Sequence, residues 1–272
     1  MMKGRAKAAS AIVLSVAVFA ALIFLIVFAF QKSQDKQLIN QVSAQTLKLS
    51  ASFTVTAETG CLDTVKNSFL SAKTGANSGA QAISADISFR QDGAPVLAAQ
   101  LSQADNTAVT LERVFNYLAG KKDVSMVLNL KEVTNLPEIE RLAAENGLAK
   151  RLTYTGIDEN RVAYLQYASP NIHFYIDAAP QKSKLNDITY CAGLAENALS
   201  CSALGINCDI RYATKTFIDA VHAYGLLFSV NHVEKEVDMY RMLSLGVDNI
   251  TTQSPDLLLQ IISGLQAKAA QH

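Results

Sequence analysis

The sequence predicts an α/β chain folded as a (β/α)8 barrel and preceded by one N-terminal transmembrane helix. Three observations carry that expectation. Beyond residue 50 eight strand-like runs alternate with eight helix-like runs, the count and order of a (β/α)8 barrel. From Ile83 to Gln100, ISADISFRQDGAPVLAAQ reads as a strand, a tight turn and a second extended run. From Ala11 to Phe30, AIVLSVAVFAALIFLIVFAF carries no charge and one polar residue, Ser15.

The apolar run is 20 residues long, and a helix of that length rises ~30 Å, the hydrocarbon thickness of a bilayer. Lys3, Arg5 and Lys7 precede it. That basic flank places the N-terminus in the cytoplasm and everything after Gln31 on the extracytoplasmic side of the cell membrane. A secretory signal has a shorter apolar core and a cleavage site between small residues. Here the run ends in Phe28-Ala29-Phe30-Gln31-Lys32, so an uncleaved anchor is expected. The organisation is therefore a cytoplasmic tip (1–10), a transmembrane helix (11–30), a polar linker or stalk (31–50) and a barrel (51–272). Half of the residues are hydrophobic, enough for one sizeable core. Formal net charge is zero and no basic run lies outside the N-terminus, so nucleic acid is not expected as a partner.

Strands are expected at Ser52–Ala57, Ile83–Ser88, Val124–Lys131, Arg151–Thr155, Ile172–Asp177, Ser202–Ile206, Leu226–Val230 and Asn249–Thr252. In the second of these, Ile83, Ala85 and Ile87 alternate with Ser84, Asp86 and Ser88, the period of a strand with two unlike faces. Asp92-Gly93 marks the turn after it, because Gly accepts positive φ without a Cβ clash. Helices are expected at Val65–Ala76, Leu111–Ala119, Glu138–Asn146, Glu159–Tyr167, Ile188–Asn197, Thr216–Tyr224, Glu234–Ser244 and Pro255–Ala267. Thr110 and Asp158 suit helix starts, and Gly147, Gly225 and Gly246 suit helix ends. A doubly wound open sheet is the alternative, but nothing like G-x-G-x-x-G follows the first strand. The four cysteines, Cys61, Cys191, Cys201 and Cys208, form no C-x-x-C pair. They are read as free small residues with no zinc site.

Around these elements stand motifs that resemble the signature of the glycerophosphodiester phosphodiesterase family. Asp92-Gly93-Ala94-Pro95-Val96 matches its D-G-x-P-V turn, and Asp86 matches the Asp of its E-x-D strand end. Phe228-Ser229-Val230-Asn231 resembles its W-T-V-N. The stretch from Leu245 to Thr252 resembles its L-G-V-D-G-I-I-T-D ending. The likeness runs from about Val55 to Asp256. Other positions depart from the pattern. Glu58-Thr59-Gly60 stands where the family has H-R-G, and Ser84 stands for the Glu of E-x-D. Ala99-Gln100 replaces H-D. In Val65-Lys66-Asn67-Ser68, for P-E-N-[ST], Asn67 and Ser68 match and Lys66 does not. In Leu128-Asn129-Leu130-Lys131, for I-E-I-K, Lys131 matches and Asn129 replaces Glu. The family's insertion after H-D shrinks to Leu101–Val109.

The resemblance implies hydrolysis by a divalent cation on carboxylates with two His as acid and base. Both His positions, now Glu58 and Ala99, have lost the imidazole, and each acid or base contributes ~10²–10⁴ in rate. Asp86 alone survives among the carboxylates, and one carboxylate with Ser and Asn oxygens holds Mg²⁺ or Ca²⁺ weakly. Asp86 is then either a remnant metal ligand or the partner of Lys131 in an ion pair. Glu58 is read as a solvated loop residue unless it replaces a ligand, and Asn67 as a brace of the first loop. His232 is read as a surface or packing residue. The expectation is a barrel without catalytic residues (degenerate positions Glu58, Thr59, Ala99). Its pocket remnant comprises Glu58, Asn67, Ser84, Asp86, Asn129 and Lys131, and it needs no cofactor. It would bind a phosphate-bearing small molecule, a lipid headgroup or a membrane protein. The alternatives are a divergent metal-dependent phosphodiesterase using Glu58 and Asp86, and a spacer held off the membrane.

Overall fold

The computed structural model describes residues 2–45 and 49–269, without the side chains of 2–18 and 269. It divides into two compact units, residues 1–45 and 46–272. The first is the helix α1 (Met2–Ser43), which continues through the polar residues that follow Phe30. Part of the expected span, residues 11–18, lies outside the side chains described. Among the described residues no helix is long and apolar enough to cross a membrane. Phe19, Phe24, Phe28 and Phe30 are exposed on α1.

The second unit begins with β1 (Thr54–Ala57), α2 (Phe69–Asn77) and β2 (Ala82–Phe89). The Asp92-Gly93 turn, with Gly93 at φ +82°, leads into β3 (Pro95–Leu97), antiparallel to β2. Then α3 (Leu111–Ala119), β4 (Ser125–Leu130), α4 (Leu136–Glu145), β5 (Leu152–Ile157) and α5 (Glu159–Ala168) alternate. They are followed by β6 (His173–Asp177), α6 (Ile188–Ser200), β7 (Gly205–Asp209) and α7 (Lys215–Ala223). The unit ends in β8 (Leu227–Asn231), α8 (Glu236–Leu245), β9 (Asn249–Thr252) and α9 (Pro255–Ala269). The order β1-β9-β8-β7-β6-β5-β4-β2, with β1 also paired to β2, closes eight parallel strands into a barrel. β3 hangs on β2 as a hairpin arm.

Local chemistry sets the boundaries. Thr110 Oγ1 accepts from the Arg113 N–H, and Asp158 accepts from Asn160 and Arg161, so both helices start on their caps. Gly147, Gly225 and Gly246 all hold positive φ where helices stop. The strand expected at Ser202–Ile206 lies three residues later, at Gly205–Asp209. Ser202 sits at φ +56° and Cys201 caps α6, so the chain leaves the helix in a turn before it can extend. Cys61, Cys191 and Cys208 are buried free thiols.

The two faces of the barrel differ sharply. Outward residues such as Val55, Ile83, Leu128, Tyr154, Phe228 and Ile250 are at most 1% exposed and pack against the helices. The Tyr154 hydroxyl is satisfied there by Ser169 at 2.9 Å. The alternate residues, among them Thr56, Ser84, Asn129, Thr155, Asn207, Ser229 and Asn249, face the lumen and are polar.

Candidate functional site at the C-terminal mouth

Two strands, β2 and β4, and the loop after β1 bring one carboxylate and its donors together. Asp86 on β2 registers beside Asn129 on β4. Lys131, one residue past β4, donates its backbone N–H to Ile87 O at 2.9 Å. Its Nζ thereby comes 2.8 Å from Asp86 Oδ1. Asn129 Nδ2 donates to the same oxygen at 2.7 Å, and Asn67 Nδ2 donates to Oδ2 at 3.0 Å. The Asn67 amide cannot be turned round. Its Oδ1 already accepts from the Asp86 N–H at 3.0 Å and from Thr59 Oγ1 at 3.2 Å. Asn67 stands at φ +55°, a left-handed conformation that Asn adopts more readily than most residues.

Burial pushes the Asp86 carboxyl up, but hydrogen bonds from Lys131 and Asn67 and the Lys131 charge outweigh it. The net result lies below the usual carboxylate range. Both oxygens thus face N–H donors, one an ammonium standing where a cation would have to sit. That donor set does not fit a divalent metal. Among the described residues no group of three or more His, Cys, Asp or Glu is arranged to hold one.

Across the mouth lies a second cluster. His232, exposed and at φ +59° just after β8, has Nδ1 2.9 Å from Asp209 Oδ2. Its Nε2 lies 4.0 Å from Glu58 Oε1. Burial raises the Asp209 carboxyl, but bonds from Arg211 and His232 hold it below the ordinary value. An ionised Asp209 can only accept, so His232 Nδ1 carries the proton. Glu58 is not the solvated loop residue its position suggested. Its side chain is 12% exposed, and Oε2 is buried without a partner. Burial pushes its carboxyl up to about 7, the Glu234 carboxylate adding to the rise against the charges of His232 and Lys66. Asp177, on β6, is likewise raised by burial and accepts from Asn207 Nδ2 at 3.0 Å.

These groups rim a cavity of about 690 Å³. Glu58, Thr59, Ser84, Asp86, Asn129 and Lys131 all line it. Asn67 acts from behind through its bonds to Asp86, and Ala99 is exposed beyond β3 and outside the lining. Sequence reasoning missed Asp177, Arg161 and Asn207 in the lining, and Asp209 as the partner of His232. Asp209 was out of sight because the strand expected at Ser202–Ile206 was placed three residues too early relative to β7, which left it in a loop. The alternation Gly205, Asn207, Asp209 was the signal that could have found it.

No family model and no curated protein matches the sequence. Solved structures match the fold. The glycerophosphodiester phosphodiesterase of Agrobacterium tumefaciens str. C58 superposes with a TM-score of 0.61 at 16% identity, over 76% of this chain and 99% of that one. A putative one from Galdieria sulphuraria gives 0.68 at 17%, over 80% and 100%. A phosphodiesterase from Oleispira antarctica, solved with its product sn-glycerol-3-phosphate, gives 0.64 at 13%, over 81% and 99%. At such identities the likeness is one of fold.

Proposed function

We propose that this chain is a membrane-anchored, glycerophosphodiester phosphodiesterase-like barrel that binds a phosphate-bearing ligand and has lost metal-dependent hydrolysis. The observation that carries the reading is the Asp86 cluster. The carboxylate retained from the family's motif is engaged by Lys131, Asn67 and Asn129, which fill a metal's place with a fixed positive charge. The rim also favours an anion. Lys66, Lys131 and Arg161 line it, and burial raises the carboxyls of Glu58 and Asp177 beside them, which lessens the negative charge there. Phosphate is the anion class that such cations hold well, and sn-glycerol-3-phosphate in the Oleispira structure supports that class. Anchoring is supported by the uncharged run from Ala11 to Phe30 and the basic flank before it, which would set the barrel on the extracytoplasmic side.

The test uses the full-length protein in detergent with glycerophosphodiesters and Mg²⁺, Ca²⁺ or Mn²⁺. The reading expects no metal-stimulated turnover, and inorganic phosphate binding that weakens about tenfold in Lys131→Ala, as loss of one charge-assisted contact should give. Robust metal-dependent hydrolysis would overturn it.

A further inference from the structure

Barrels of this class ordinarily fill their lumen with layers of bulky branched side chains. Here the inward positions are small and polar down to the N-terminal ends of the strands, where Thr54, Ser125 and Thr153 still line the cavity. Ala82, Val127 and Leu227 are the aliphatic exceptions among the inward positions that line it. The two walls of the lumen are not alike. On the β1–β9–β8–β7 side the polar groups below the rim satisfy one another, whereas at the rim Asn231 Oδ1 and Glu58 Oε2 are buried without a partner. Thr54 and Thr56 donate to Asn249 Oδ1 at 2.8 and 2.7 Å, and Asn249 Nδ2 donates to Ser229 Oγ at 3.0 Å. Ser229 in turn donates to Asn207 Oδ1 at 2.9 Å. On the β2–β4–β5–β6 side, the hydroxyls of Ser84, Ser125, Thr153, Thr155 and Tyr175 line the cavity. None of them shares a side-chain hydrogen bond with the described residues. Every Asp, Glu, Lys and Arg of the lining belongs to the mouth.

From this asymmetry we infer that the lumen is a binding well for the uncharged polyhydroxylated part of a polyol phosphate, whose phosphate rests on Lys131 and Arg161. This rests on the phosphate-binding reading of the mouth and names the remainder of the ligand. Each free hydroxyl offers one donor and two acceptor sites, the complement of a polyol hydroxyl. An apolar chain would strand those groups, at a cost of ~1–3 kcal/mol apiece. A charged group would meet no counter-charge below the rim. The wall with free hydroxyls also carries Lys131, one residue past β4, and Arg161, on α5 just after β5. Successive inward positions on one strand lie ~6.6 Å apart. A chain held by its phosphate at the rim therefore runs straight down past Thr155 and Ser84. The volume falls in the range of small-molecule sites, ~300–1,000 Å³.

Calorimetry on the full-length protein in detergent compares inorganic phosphate, sn-glycerol 3-phosphate and D-mannitol 1-phosphate. The expected order is mannitol phosphate tightest and phosphate weakest, at least tenfold apart. In the near-isosteric double variant Thr153→Val/Thr155→Val the ratio of those two affinities should fall severalfold. Mannitol phosphate binding no tighter than phosphate, or an unchanged ratio in the double variant, would overturn the well while leaving the phosphate reading intact. No binding of phosphate or either ester would overturn both, and binding of free mannitol without phosphate would keep the well and sink the phosphate rim. Vesicles of phosphatidylcholine with and without phosphatidylglycerol then separate the sources. Displacement of mannitol phosphate only by the phosphatidylglycerol vesicles marks a lipid headgroup, and retention marks a soluble polyol phosphate. Displacement by phosphatidylcholine vesicles alone would count against polyol recognition.

Discussion

Lys131, just past β4, and Glu58, just past β1, both line the mouth and respond oppositely to removal of charge. Truncating Lys131 leaves Asp86, whose side chain is 15% exposed, with two neutral amide donors and no cation. Lys131→Met should therefore cost about 1–3 kcal/mol in urea unfolding at pH 7, discounted because the lysine is a third exposed. Most of that loss should be recovered in Lys131→Met/Asp86→Asn, since the paired deletion leaves no unmatched charge. Glu58 behaves in the reverse sense. Its folded carboxyl titrates near 7, above its unfolded value, so the folded state binds the proton more tightly. Stability from this group is complete below the unfolded value and is lost as pH rises through about 7. Glu58→Gln should leave stability at pH 4.5 unchanged and raise it at pH 8, by about 2–3 kcal/mol. Equal midpoints for variant and parent at pH 8 would contradict the buried, half-protonated Glu58. Of the two environments, that of Lys131 was legible from the chain and that of Glu58 was not. The Asp86–Lys131 pair could be posed as one of two readings, because both sit on inward positions of neighbouring strands. The neighbours that act on the Glu58 carboxyl, His232 and Glu234, lie far along the sequence, and no local pattern brings them together.

At the scale of elements, period and punctuation carried most of the assignment. Leu111–Ala119 was bounded by Thr110 and by Gly120, and the glycines at 147, 225 and 246 stopped their helices as positive-φ residues do. The start of β7 was expected too early because Ser202, Ala203 and Leu204 read as extended in propensity while the chain there is still leaving α6. Its true start is Gly205, and a Cβ at that position would sit 1.9 Å from Leu227 O of β8. Gly205→Ala should therefore destabilise by about 3 kcal/mol or more, read as a lost or strongly lowered unfolding midpoint. Gly193 makes the opposite case within α6, since an added Cβ there meets nothing within 4 Å. Gly193→Ala should raise stability by about 0.5–1 kcal/mol, by helix propensity alone.

The molecule as a whole has turned its apolar surface outward from the barrel, toward the helices, and left a hydroxyl-lined interior below a charged rim. The alternation visible in Ile83–Ser88 already contained that inversion, with Ser84 and Asp86 on the face opposite to Ile83, Ala85 and Ile87. What it could not convey was that seven other strands repeat the choice, and that below the rim one wall saturates itself while the other does not. The Lys131 ammonium on Asp86 supplies a positive charge at the rim from the chain itself. The most direct measurement is titration calorimetry of Mg²⁺, Ca²⁺ and Mn²⁺ into the full-length protein, beside the Asp86→Asn variant. With Lys131 seated on Asp86, neither protein should show saturable binding. Saturable binding to the parent that disappears in Asp86→Asn would mean that the aspartate still serves a metal.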